Sequence, residues 1–96
     1  MPTVNLLIKG KVQGVYYRAA AKEVADKLAV TGWVKYISDE RVEIMATATN
    51  ESLDQFIGWC RRGPEKAVVT NVIVTPLSEQ PFDNFSVIQE TYPHDL

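Results

Sequence analysis

The sequence predicts an α+β sandwich in the order β-α-β-β-α-β with a short extra strand, an antiparallel sheet carrying two helices on one face. Three observations predict it. Val4, Leu6 and Ile8 alternate with Asn5, Leu7 and Lys9, the period of a strand, with enough apolar residues for a central one. Two stretches, from Ala19 and from Asn50, carry apolar residues at helical spacing. Runs rich in β-branched residues follow each of them, so strands and helices alternate in the split βαβ, or ferredoxin-like, order.

The first strand ends near Gly10. From Ala19 to Val30 two rows at four-residue spacing, Ala20/Val24/Leu28 and Ala21/Ala25/Ala29, make one apolar face, with Lys22, Glu23, Asp26 and Lys27 on the other. Gly32 is expected to stop this helix. Trp33 to Ile37 then reads as a strand, Ser38-Asp39-Glu40 as a turn and Val42 to Ala48 as the second arm of a hairpin. Asn50 is the expected N-cap of the second helix, whose Leu53, Phe56, Ile57 and Cys60 fall at i, i+3, i+4 and i+7 before Gly63-Pro64 ends it. Val68 to Thr75 is a long β-branched strand, Pro76 and Pro81 mark a loop, and Phe85 to Ile88 forms a short last strand. Residues 1–96 are expected to form one domain, with 89–96 a loosely ordered tail.

Composition narrows the function. Of 96 residues, 46% are apolar and 23% charged, and no apolar run approaches the roughly 18 residues of a membrane span. The opening Met1-Pro2-Thr3-Val4-Asn5 lacks the regions of a signal peptide, so a cytoplasmic location is expected. Cys60 is the only cysteine and His94, in the tail, the only histidine, which leaves no disulfide, zinc or thiolate framework; Cys60 is expected in the core. A net charge of −2 argues against a nucleic-acid binder. An RNA-recognition sheet would also need exposed aromatics and basic residues on its central strands, and Val42-Glu43-Ile44-Met45-Ala46 supplies neither.

The informative stretch is Gly10-Lys11-Val12-Gln13-Gly14-Val15-Tyr16-Tyr17-Arg18, which joins the first strand to the first helix. Glycines just ahead of a helix start let backbone N–H groups turn inward as a nest, and a helix start favours anions. Arg18 adds a planar, permanently charged fork suited to phosphate or carboxylate, and Lys9 and Lys11 are expected to gather about the same loop. Gln13 is expected to act through its backbone N–H. Of Tyr16 and Tyr17, one ring should pack in the core and the other line the pocket mouth. Asp39, Glu40 and Glu43 resemble paired carboxylates, but at a hairpin they are expected to be solvated charges; Arg61-Arg62 are expected to complement the dipole at the end of the second helix.

In Gly10-x-Val12-Gln13-Gly14-Val15-x-Tyr17-Arg18 and in Gly32-Trp33-Val34-Lys35 the chain resembles the acylphosphatases, small metal-independent enzymes that hydrolyse carboxyl-phosphate anhydrides. Gly63-Pro64-x-x-Ala67-x-Val69-x-x-Val72 and Phe82-x-x-Phe85-x-Val87-Ile88 extend the likeness over nearly the whole chain. The resemblance implies a phosphate-binding loop of Lys11, Val12, Gln13, Gly14, Val15, Tyr16, Tyr17 and Arg18, with Arg18 and backbone N–H groups holding the phosphoryl group. It implies no cofactor and no metal. The ligand is then a small acyl phosphate, or inorganic phosphate or sulfate, and the protein a monomer with neither nucleic acid nor membrane as partner.

The family's second catalytic residue is an asparagine after Gly-Trp-Val-Lys that orients the attacking water, and here Tyr36 stands in its place. The glycine usual after the aspartate of the following turn is replaced by Glu40. A carboxamide offers acceptor and donors on a short stem, whereas tyrosine offers one hydroxyl on a long ring, which either blocks the water position or holds a displaced water. Removing one preorganised hydrogen-bonding group costs about 10²–10³ in turnover. Phosphate binding with reduced turnover is therefore expected. The alternative is a non-catalytic anion-binding or regulatory domain that kept the loop and lost the water site.

Overall fold

A computed structural model describes residues 1–38 and 40–88, so Asp39, His94 and the expected loose tail 89–96 lie outside the described residues. The elements are β1 (Thr3–Lys11), α1 (Tyr17–Lys27), β2 (Thr31–Ser38), β3 (Arg41–Thr47), α2 (Asn50–Arg62), β4 (Val68–Leu77) and β5 (Phe85–Val87). They build one five-stranded sheet in the order β4-β1-β3-β2-β5.

β1 is central because it is apolar on its inner face: Val4, Leu6 and Ile8 are buried, and Leu6 pairs with Ile44 of β3 and Val74 of β4. These pairings and that of β2 with β3 are antiparallel. The expected wholly antiparallel sheet is corrected at one edge, where β5 runs parallel to β2, Gly32 beside Phe85. Topology requires it. β4 finishes at the end of the sheet where β2 begins, so a chain crossing that end to reach β2 can only leave in the direction of β2.

One apolar layer joins sheet to helices. Tyr17, Ala21 and Ala25 of α1 are buried at four-residue spacing, and Leu53, Phe56 and Cys60 of α2 at spacings of three and four. Small alanines let α1 approach the sheet closely, which fixes its N-terminal end relative to β1 and β2. The Tyr17 hydroxyl donates to the Cys60 carbonyl at 2.7 Å, tying the start of α1 to the last turns of α2.

Helix ends depart from expectation. α1 stops at Lys27, not Val30, because Ala29 takes a left-handed conformation (φ 57°) and the Val30 amide donates to the Ala25 carbonyl at 2.8 Å, a Schellman-type closure without glycine. Ala29 is therefore exposed rather than part of the apolar face. Gly32 does not stop the helix. It lies within β2 at φ 138°, where a Cβ would come within 1.8 Å of the Met45 carbonyl oxygen. The N-cap of α2 is Thr49, whose hydroxyl accepts from the Ser52 amide at 3.2 Å; Asn50 is the first helical residue. Pro76 is a strand residue rather than a loop marker, tolerated because β4 is an edge strand. Among the described residues, no helix is long and apolar enough to cross a membrane.

Candidate functional site

Between β1 and α1 the chain is pinned by two side chains, Val12 and Val15, both buried in the core. The backbone between them turns on the outside. Gly14 sits at φ 74° with nothing within 4 Å of where a Cβ would lie, so its conformation rather than crowding calls for glycine. Tyr16, 82% exposed, is also left-handed, at φ 60° and ψ 30°, and serves as the N-cap of α1 without a side-chain cap hydrogen bond. The first turn of α1 holds no acidic residue. Its leading N–H groups, which no helix can satisfy internally, thus keep their positive end towards the outside.

Arg18 stands in that first turn. One guanidinium nitrogen, Nη1, donates to the Ile88 carbonyl at 3.1 Å, and the carbon at the centre of the fork lies 4.1 Å from the centroid of the Tyr36 ring. The Tyr36 hydroxyl donates in turn to the Val12 carbonyl at 3.0 Å. A cleft of about 690 Å³ opens beside these groups, lined by Gln13, Gly14, Tyr16, Arg18, Lys22 and Tyr36 among others, Glu23 and Asp26 included.

Four of the predicted residues, Gln13, Gly14, Tyr16 and Arg18, thus line one cleft together with Tyr36. Val12, Val15 and Tyr17 turn their side chains into the core, leaving only backbone for a ligand. The two tyrosines divide as expected, Tyr17 inside and Tyr16 at the mouth. Lys11 is placed elsewhere. With Lys9, Gly10, Glu40 and Arg41 it lines a second depression, because β1 continues through a bulge at Lys9/Gly10 to pair Lys11 with Val68. The Gly10 amide is spent on the Glu40 carbonyl at 2.9 Å, so Gly10 is not part of the turn that faces the cleft. Glu43 accepts from Asn5 at 2.9 Å and stands 3.9 Å from the Lys35 ammonium, away from the cleft.

Lys22 was assigned above only to the polar face of the helix. It is a second cation of the cleft, held by Asp26 and by the Phe85 carbonyl, each at 3.0 Å. Its spacing of four from Arg18 put it on the same side of the helix. Behind the site, burial raises the Tyr17 hydroxyl far above its ordinary pKa, with Cys60 beside it adding to the rise, and burial pushes the Cys60 thiol up to about 12. Both stay protonated at neutral pH, and Tyr17 acts there as a fixed donor.

Fold and cleft together define a ferredoxin-like domain with a cleft at the start of α1, where Arg18 stands and Lys22 is paired with Asp26. The acylphosphatase family model matches residues 4–87. An acylphosphatase of Methylococcus capsulatus is 43% identical over 91 residues, covering 94% of this chain and 99% of that one; another, of Marinobacter nauticus, is 46% identical over 82 residues, covering 84% and 89%. The crystal structure of acylphosphatase from Bacillus subtilis superposes with a TM-score of 0.88 at 33% identity, covering 93% of this chain and all of that one. A structure from Coxiella burnetii gives 0.87 at 32% identity, covering 91% and 92%. The chain belongs to the acylphosphatase family, a family of hydrolases.

Proposed function

We propose that the protein hydrolyses acyl phosphates, R–CO–O–PO₃²⁻, to carboxylate and phosphate, with turnover limited by Tyr36. Water attacks phosphorus in line, the bond from phosphorus to the acyl oxygen breaks, and the carboxylate leaves with the bonding pair. Such a transfer asks for positioning and charge stabilisation rather than covalent chemistry. Arg18 and the loop N–H groups meet the negative oxygens, and a carboxylate leaving group needs little help from a general acid.

The observation that carries this reading is the meeting of Arg18 with the uncapped, acid-free start of α1 in one cleft. The limit on turnover rests on Tyr36. Its hydroxyl is anchored on the Val12 carbonyl, which leaves a water at most one phenol oxygen where a carboxamide would offer an acceptor and two donors. Benzoyl phosphate hydrolysis by the natural protein and by Tyr36→Asn tests both halves. We expect measurable hydrolysis by the natural protein and a kcat higher in Tyr36→Asn by about 10²–10³, the range that one such group supplies. A natural protein that turns over as fast as Tyr36→Asn removes the limit assigned to Tyr36.

A further inference from the structure

Tyr36 touches both halves of the anion pocket. Its ring lies under the Arg18 fork at 4.1 Å, and its hydroxyl, at the far end of the same ring, donates to the Val12 carbonyl at 3.0 Å. Val12 opens the turn that carries Gln13, Gly14 and Tyr16; Arg18 follows that turn. One rigid side chain rooted in β2 therefore spans from the charged fork to the backbone of the loop. A carboxamide on a shorter stem has no aromatic ring to place against a guanidinium.

We propose that Tyr36 is a positioning residue that sets Arg18 and the loop at one fixed separation, so that phosphate meets a pocket already formed. The claim rests on the phosphate-binding reading above and adds to it a reason for tyrosine at this position. Stacking suits the task because the donors of a guanidinium lie in its plane. The ring lies 4.1 Å from the guanidinium carbon, Ile88 takes one N–H, and among the described residues no other acceptor takes the remaining donors, which an anion can meet. An arginine confined in this way loses less freedom when the ligand arrives, which appears as affinity. The same side chain thus limits the water step and strengthens the grip on phosphate.

Calorimetric titration with inorganic phosphate, on the natural protein, Tyr36→Phe and Tyr36→Leu, separates the two ties. Losing the hydroxyl alone weakens phosphate binding in Tyr36→Phe by about two- to tenfold. Losing the ring as well weakens it in Tyr36→Leu by a further 5- to 30-fold or so, the range of a partly desolvated cation–π contact. A spectroscopic signature accompanies this. The Arg18 Hδ protons of the natural protein are shifted upfield by the ring relative to those of the exposed Arg61, a shift kept in Tyr36→Phe and lost in Tyr36→Leu. The natural protein's shift needs no variant to fold. Equal phosphate affinities in all three proteins, or an unshifted Arg18 in the natural one, overturn the clamp alone. A natural protein that neither binds phosphate nor hydrolyses benzoyl phosphate overturns the functional reading together with it.

Discussion

At the start of α2 the Thr49 hydroxyl accepts from the Ser52 amide and Glu51 sits in the first turn, whereas α1 starts on a left-handed Tyr16 with no side-chain cap and no acidic residue nearby. The start of α2 is completed by its own sequence. The start of α1 is left electropositive and has Arg18 placed in it, which is unfavourable for the isolated helix and favourable for a bound anion. Topology separates the two, because α1 and α2 run in opposite directions and put their starts at opposite ends of the sheet. One end follows local rules for helix stability, and the other departs from them at the proposed phosphate site.

Exchange of Arg18 probes the ligand end most severely. Arg18→Ala is expected to lower kcat/KM for benzoyl phosphate by about 10²–10³ while leaving the thermal midpoint nearly unchanged; a large fall in the midpoint with activity kept would make Arg18 structural. The support behind the same helix start is pH-dependent. The start of α1 has no cap of its own but is held through Tyr17 and Cys60, whose protons the folded state retains. Cys60 loses its proton near 9.0 in the unfolded chain and near 12 in the folded one, so the unfolded state binds fewer protons and stability falls as pH rises between these values. The slope is up to about 1.4 kcal/mol per pH unit. Denaturant unfolding at stepped alkaline pH should show this decline, with Cys60→Ala shallower; parallel curves would remove Cys60 from the account. Thr49→Ala is the smallest change, expected to cost about 1 kcal/mol of stability with hydrolysis unaffected, and a loss of activity at unchanged stability would erase the contrast between the two ends.

Much of this was legible in the sequence, for identifiable reasons. β1 and α2 carry regular apolar spacing, and their packing followed it. The end of α1 was misjudged because Ala29 adopts a conformation usually given to glycine, while Gly32, the visible stop signal, answers instead to the nearby Met45 carbonyl across the sheet. Thr49 and Asn50 are both good caps, and only geometry chooses between them. That Gly14 and Arg18 fall beside one cleft was readable because a glycine turn running directly into a helix start places them together. Lys11 was wrongly gathered with them, since proximity in sequence does not reveal that β1 continues past its bulge. The contact between Tyr36 and Arg18 joins residues on different elements, and no local pattern encodes it.

The contrast between the helix starts can be read directly by following backbone amide resonances during titration with inorganic phosphate. The account predicts that the largest shifts fall on Gln13 to Ala19, saturate together and vanish in Arg18→Ala, while the amides of Glu51 to Leu53 at the start of α2 stay in place. Shifts centred on Lys9, Lys11 and Arg41, or spread equally over both helix starts, would contradict it.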